Sequence, residues 1–510
     1  MRLGFTAVFL MACVSTVSYG AAAPSAVADA AMNRDLPSVR SLVNSKADVN
    51  APQADGTTAL TWAVRADDLE MVDLLLNGGA DVKAANREGA TPLYQAGENA
   101  NPAMIQKLLK AGADVNGTLL TTGETPLMEI ARTGSVPALQ VLIDHGANVN
   151  AKETLRGTTA LMWAASEGHT DAVRFLIEHG ADISAESKRD KAKPYGTAGP
   201  GARLPKDLES GGLTALIFAV RVGSMDSVKL LLDARADVNQ TSADGSSPLL
   251  VAVLNGRYEI ARFLIDRGAD VSLANKKGWT PLYLAVKHRT IETGTMPVPP
   301  NADQALDFIK LILNKGAETN TKLLYETEVH SANHVFWLKE EGATPFFRAA
   351  YGGDVEVMKL LLEHGADPTL ATKDHTTPLM GLAGVGFTLS LVHHRSHRED
   401  MEALNLLLSL GGDINATNDQ WLTALMGAAQ RGANEEIQVL VDHGAKLDLR
   451  DKGTYCGDSG KSCKGEGMLA LNYAIGVPVT VQMPVYKPDT VALLEKLMTE
   501  RGIPIDKNDR

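Results

Sequence analysis

Aromatic side chains are scarce in this 510-residue chain, at 5% against 45% hydrophobic residues overall. Any core must therefore rest on Leu, Ala, Val and Ile. Cysteine is scarcer still, and three residues exclude a disulfide-dense scaffold and a cysteine-rich metal domain. Basic charge is in deficit: 49 Lys and Arg against 61 Asp and Glu leave a formal net charge of −12. That excludes a general nucleic-acid or anionic-membrane binder, because phosphate affinity needs a basic surface. Long apolar runs are also missing; the stretch Leu3 to Val14 is too short to span a bilayer as a permanent helix. What is left is the composition of a folded, soluble protein, 22% charged with a mean hydropathy of −0.07. Its length would ordinarily suggest about three domains.

The first segment reads as a targeting sequence. Met1 and Arg2 precede the uncharged run, and small residues follow at Ser18, Gly20, Ala21, Ala22 and Ala23. This is the layout of a secretory signal peptide over residues 1–23, cleaved near Gly20 or Ala23, which predicts a periplasmic or extracellular protein. Leu10-Met11-Ala12-Cys13 also resembles a bacterial lipoprotein box, which would make Cys13 a lipid anchor. The early cysteine and the poor fit of Met11 favour ordinary cleavage. Cys456 and Cys463 are then the only thiols of the mature body, and in an exported protein they read as a local disulfide. A zinc site there lacks further ligands nearby.

Self-similarity changes this reading. A tripeptide opening an apolar helical run recurs at Thr58-Ala-Leu, Thr91-Pro-Leu, Thr125-Pro-Leu, Thr159-Ala-Leu, Thr214-Ala-Leu, Ser247-Pro-Leu, Thr280-Pro-Leu, Thr344-Pro-Phe, Thr377-Pro-Leu and Thr423-Ala-Leu. Most copies run on to a Leu-Leu pair and then to Gly-Ala-Asp-Val-Asn, as at Leu108-Leu109 and Gly112 to Asn116. The motif resembles the ankyrin repeat over nearly all of the mature chain. Each position has a physical sense. Thr caps the first helix, and Pro after it has no amide hydrogen to lose. Gly at the end of the second helix supplies a left-handed cap, as at Gly79, Gly112, Gly146 and Gly180. Asp-Val-Asn then leads into a β-hairpin with a turn such as Asp244-Gly245. Arg235 departs from the pattern at a capping Gly and Trp421 at a turn Gly. The family's usual His after the tripeptide is replaced throughout, by Tyr94, Met162 or Phe347 for example.

The fold class expected is an all-α solenoid of stacked helix-turn-helix repeats with β-hairpin fingers, about 12 units including caps. Successive tripeptides lie 33, 34, 34, 55, 33, 33, 64, 33 and 46 residues apart, with a further 46 to Leu469. The long intervals place insertions near 186–211, 290–304, 322–340, 385–399, 451–466 and 476–489. A half-repeat at 25–51 opens the array and a divergent one at 467–505 closes it. Residues 24–510 are thereby read as one solenoid, with no stretch over for a separate catalytic domain.

Candidate chemistry is thin. Gly457-Asp458-Ser459-Gly460 is similar to the nucleophile segment of a trypsin-like protease, but lacks that fold and its His and Asp context. Gly460-Lys461-Ser462 would end a phosphate loop only with Gly in place of Tyr455. His145, His179, His364 and His443 precede capping glycines, where a cation suits a helix C-terminus. His330 and His334, like His393 and His397, form i,i+4 pairs that could hold a metal, but the two pairs sit in inserts on different edges. The insert near 186–211 carries Lys188, Arg189, Lys191, Lys193, Arg203 and Lys206, a basic finger on an acidic chain. That near 322–340, with Phe336 and Trp337, is apolar enough to pack back or to present an anchor. Trp279 stands at a position the family exposes on its concave side, and Tyr283 follows it. Trp279, Tyr283, Phe336, Trp337, Lys188 and Arg189 are the candidate partner contacts.

What the resemblance implies is a non-catalytic scaffold that binds a protein partner through its concave face and inserted loops. It implies no catalytic residue, cofactor or metal, no nucleic acid and no transmembrane segment, in a monomer. A narrower alternative is an accessory or inhibitor protein for a periplasmic or secreted enzyme. A different class, an enzyme with a site dispersed over the repeats, is disfavoured by the length accounting, and a small-molecule pocket in the C-terminal half stays open.

Overall fold

A computed structural model describes residues 25–191, 209–289, 302–325, 340–386, 396–453, 467–476 and 486–505. Cys13, Cys456, Cys463, Phe336, Trp337, His330, His334 and His393 lie outside the described residues. Within them, 24 helices form twelve antiparallel pairs, the number of units the repeat spacing predicts. The chain divides into two compact units, Met1–Thr154 and Leu155–Arg510. The first holds four pairs, from Ala26–Met32 with Leu36–Asn44 to Pro126–Thr133 with Val136–Asp144. Here residues 25–51 form a full helix pair rather than a half-repeat. The second unit holds eight pairs, from Ala160–Ser166 with Thr170–Glu178 to Ala470–Ile475 with Pro488–Glu500.

The start of each first helix follows from its sequence. The hydroxyl of Thr91, Thr125, Thr159, Thr214, Ser247, Thr280, Thr344, Thr377 and Thr423 accepts the amide three residues on, at 3.1–3.3 Å. One of the four orphan donors of the helix is thereby satisfied. Thr58 differs: its hydroxyl lies 3.2 Å from that of Thr61 instead. Second helices end on a residue with positive φ, Gly in most repeats, Lys46 (φ 60°) in the first and Arg235 (φ 72°) in another. A Cβ built on Gly79, Gly112, Gly146, Gly180 or Gly268 would meet nothing within 4 Å. Glycine is wanted there for its backbone freedom and not for space, which is how Arg235 can be accommodated.

The core lies between neighbouring pairs and is built of small and aliphatic side chains. Ala63, Leu75, Ala96, Leu108, Ala131 and Leu142 in the first unit, and Ala164, Leu176, Ala219, Leu231, Ala252 and Leu264 in the second, are fully buried. No single pair could enclose these residues, so each unit is stabilised by stacking.

Two further ladders fix the register between repeats. At the finger tips, one amide donates to the carbonyl of the preceding turn. Within the first unit these bonds are Arg87 to Asp55 (3.0 Å), Leu120 to Glu88 (2.9 Å) and Thr154 to Thr122 (2.7 Å). Within the second they include Lys188 to Arg156, Ala243 to Gly211, Leu324 to Lys277 and Asp419 to Asp374. The ladder therefore runs on past the 55-, 64- and 46-residue intervals. The second ladder is made by the last residue of the Asp-Val-Asn segment or its equivalent. Asn50, Asn116, Asn239, Asn320 and Asn415 each donate Nδ2 to the capping-glycine carbonyl of the next repeat and accept a following amide on Oδ1.

The expected fingers are present as tight hairpin turns, closed by main-chain bonds such as Asn86 to Ala90 (3.1 Å) and Asn275 to Trp279 (3.0 Å). Among the described residues, strand pairing is confined to Asp190–Lys191 with Glu209–Ser210, at the base of the first long insertion. Elsewhere the fingers are turns that offer single bonds to their neighbours, too few for a strand ladder. No helix of the described residues is long and apolar enough to cross a membrane.

Candidate functional site

Counting from the capping residue sorts the side chains of the first helices into rows. The residue just before the cap, where Trp279 stands, is turned inward: Ala343 is 0% exposed, Thr376 1% and Trp279 8%. Trp279 is therefore not an exposed contact residue. Its amide donates to Asn275 Oδ1 at 3.0 Å, its ring lies 5.2 Å from Lys277 Nζ, and its Nε1 is buried without a hydrogen-bond partner. Tyr283, at the third position after its cap, is buried too, as are Met162, Ile217, Leu250 and Phe347 in that row. In these five repeats bulky apolar or aromatic side chains pack inward where the family has His, while Tyr94 in the same row is half-buried and donates its hydroxyl to Glu124 at 2.9 Å.

The row that meets solvent is the fourth after the cap. Trp62 and Gln95 in the first unit, and Trp163 and Phe218 in the second, are half-buried, whereas Glu129 in the same row is buried. From Val251 onward the same row is closed: Val251, Leu284, Arg348, Gly381 and Gly427 are buried. Arg348, 3% exposed, pairs with Glu340 at 3.3 Å, and Glu340 also meets Lys287 at 3.4 Å. A second buried cluster joins Arg431 to Asp400 (2.7 Å), Glu436 (3.2 Å) and the Leu382 carbonyl (2.6 Å). Charges this deep are retained only with partners. Sequence reasoning missed both clusters, because they include contacts such as Lys287 to Glu340, 53 residues apart in the sequence.

Where the row is open in the second unit it borders a cavity of about 470 Å³. Its apolar wall is Met162, Trp163, Leu213 and Phe218, with Leu155 at the rim and 57% exposed. Arg156, Lys188 and Arg221 bring positive charge, Glu167 and Asp190 negative. The Arg221 guanidinium lies over the Phe218 ring, 5.0 Å from its centroid. The Lys188 amide donates to the Arg156 carbonyl at 2.6 Å, and its ammonium faces Asp190 at 3.6 Å. Arg189, the other basic candidate, is held by Glu186 at 2.8 Å. Trp163 Nε1 is buried without a hydrogen-bond partner. Trp62, in the same row, donates its Nε1 to Gln53 Oε1 at 2.8 Å.

The capping histidines do more than place charge. Nδ1 of His145, His179, His364 and His443 lies 2.7–2.9 Å from the carbonyl four residues back and donates to it, closing an orphan acceptor. His397 meets Glu435 at 2.5 Å, and the carboxylate raises the imidazole pKa by hydrogen bond and charge. His288 stands apart. Burial, with the Lys287 charge second, lowers its pKa to about 4, and its Nδ1 lies 3.3 Å from the Tyr258 hydroxyl. Among the described residues no group of three or more His, Cys, Asp or Glu side chains is placed to hold a metal.

No curated protein matches the sequence. Among solved structures, the crystal structure of the human ASB11 ankyrin repeat domain is similar at 22% identity, over 49% of this chain and 99% of that one, with a TM-score of 0.40. A family model described as ankyrin repeats in three copies matches residues 27–118, 99–187, 200–275 and 216–323. A second, for many copies, matches residues 161–232, and the single ankyrin repeat model matches 341–373. The helix pairs, caps and ladders continue beyond these matches, and the chain belongs to the ankyrin repeat family.

Proposed function

We propose that this chain is an exported, non-catalytic scaffold that captures a protein partner on the first-helix face and the inserted segments beside it. Ankyrin repeats are generally protein–protein interaction scaffolds. The observation that carries the reading is the open row at Trp163 and Phe218 beside a cavity, on a framework that three sets of bonds hold rigid. A surface already ordered before binding keeps the entropic cost of association low. The leader-like residues 1–23 and the Cys456–Cys463 pair support export, with a disulfide between those two thiols.

The test is chemical cross-linking of the full chain in the exported fraction of its native cells, followed by mass spectrometry. The expected result is one dominant protein partner whose cross-links fall on first helices and on insert ends. Recovery should drop at least tenfold when residues 192–208 or 326–339 are replaced by a short glycine-serine turn. Cross-links confined to second helices, or unchanged recovery with both replacements, would count against the reading. Thiol labelling before and after reduction tests the disulfide, and free thiols at both positions in the exported protein would disprove it.

A further inference from the structure

Two finger tips in the second unit break a rule that their neighbours keep. The residue just before the carbonyl that closes a finger takes positive φ, and it is Gly212, Gly245, Gly278 and Gly342 in four of them. A Cβ on Gly245, Gly278 or Gly342 would lie 2.6–3.1 Å from a main-chain atom of the next finger. The slot therefore favours glycine for space as well as for φ. The next two fingers carry His375 (φ 64°) and Trp421 (φ 60°) there. Their tip bonds are kept all the same, Asp419 to Asp374 at 2.9 Å and Lys452 to Gln420 at 3.0 Å. Arg235 meets only the first of these two conflicts, since a Cβ on capping glycines such as Gly180 or Gly268 has open space around it.

Within the fold the two side chains do little. Nδ1 of His375 lies 2.8 Å from Asp419 Oδ1, and these side chains are 74% and 53% exposed. Trp421 is 52% exposed, with Lys452 Nζ 5.6 Å from its ring centroid. Exposed contacts of either kind are at best comparable with the cost of holding an L residue in the left-handed region. Backbone kept in a sparsely populated region concentrates at functional sites, where local rules are broken for the sake of a side chain. At these tips both side chains face solvent, so their use lies outside the fold.

We propose that the tips bearing His375 and Trp421 dock an acidic, aromatic segment of a protein partner. An aromatic side chain of the segment lies on the open part of the Trp421 ring, and an adjoining carboxylate pairs with Lys452. The sign of the charge follows from which groups are already matched. Lys373 is held by Glu341 at 2.5 Å and His375 by Asp419, whereas among the described residues no carboxylate pairs with Lys452. A partner cation brought to this ring would meet the like charge of Lys452. The exposed strip runs on to Leu324 and Tyr325, 53% and 38% exposed, two tips away. At roughly 8–10 Å between packed helices, two repeats span roughly 16–20 Å, which a chain segment covers and a small acid does not. The inference rests on the scaffold reading and extends it from the first-helix face to the finger edge.

Fluorescence polarisation with the full chain tests it, using a labelled peptide of alternating glutamate and phenylalanine, its lysine-phenylalanine counterpart, and 4-phenylbutyrate as competitor. The acidic peptide should bind, and more weakly as salt rises. Trp421→Gly and Lys452→Glu should each weaken it at least fivefold, and His375→Gly at least twofold. Urea unfolding supplies the second readout: both glycine variants should raise the midpoint, because glycine suits the slot. Preference for the lysine peptide, no binding of the acidic one, or unchanged affinity in Trp421→Gly overturns the site. A lowered midpoint in either glycine variant does the same, since the side chain would then serve the fold. Competition by 4-phenylbutyrate as strong as that of unlabelled peptide would overturn the assignment of a chain segment. Were the cross-linked partner still recovered by Trp421→Gly while the acidic peptide failed to bind, the tips would fall and the scaffold would stand.

Discussion

Two residues show how closely this sequence is tied to backbone geometry. Arg235 holds φ at 72° in a slot where a side chain has room but an L residue pays for the left-handed conformation. That conformation costs about 1–2 kcal/mol, part of which glycine returns through its freer unfolded chain. Arg235→Gly should therefore stabilise the protein by about 0.5–1 kcal/mol in urea unfolding, and a loss of stability would refute the account. Gly427 is the opposite case. It is helical, so propensity alone would have alanine stabilise it by up to about 1 kcal/mol. But an added Cβ would lie 2.7 Å from the Val385 amide and 3.0 Å from the Gly384 carbonyl carbon, both backbone. Close packing wins, and Gly427→Ala should destabilise by about 1–3 kcal/mol. A neutral or raised melting temperature would show that the two repeats can separate at no cost.

At the scale of the element, the caps were legible in the sequence and the bonds between repeats were not. A Thr-Pro-Leu tripeptide announces its own helix, because the hydroxyl and the amide it serves are three residues apart. The Asn at the end of Asp-Val-Asn announces only a turn, since both of its partners lie about thirty residues on. Yet each such Asn joins two repeats by two hydrogen bonds, each worth roughly 0.5–1.5 kcal/mol net. Asn415→Ala should cost about 1–2 kcal/mol, and hydrogen exchange should rise first at Lys446, whose amide loses its acceptor. Unchanged exchange there would show that water replaces the side chain without loss. Trp279 failed as an exposed contact for a related reason. The row before the cap is sandwiched between neighbouring fingers, a burial that no single repeat contains.

For the whole molecule, the number of helix pairs could be read from the chain, whereas the open site could not. Composition and spacing gave the units, but Trp163 and Phe218 are 55 residues apart and meet across an insertion. The same holds for acid sensitivity. His288 titrates near 4 when folded and near 6.5 when exposed, so the unfolded chain takes up the proton first as pH falls. Its contribution is complete above pH 6.5 and is lost between 6.5 and 4, by at most about 1.4 kcal/mol per pH unit. His288→Gln should flatten the fall in urea midpoint between pH 7 and 5, and parallel profiles for the two proteins would refute the assignment. The ladder of turns, finally, bears on mechanics. Within each unit adjacent repeats are joined by one main-chain bond at the finger tips, by an Asn bridge where that residue is present, and by the small contact of their helices. Force applied along such a unit strains these joints in series, and the weakest yields alone. Stretched, the chain would lengthen by one repeat at a time and recoil the same way, a spring with a step of one helix pair.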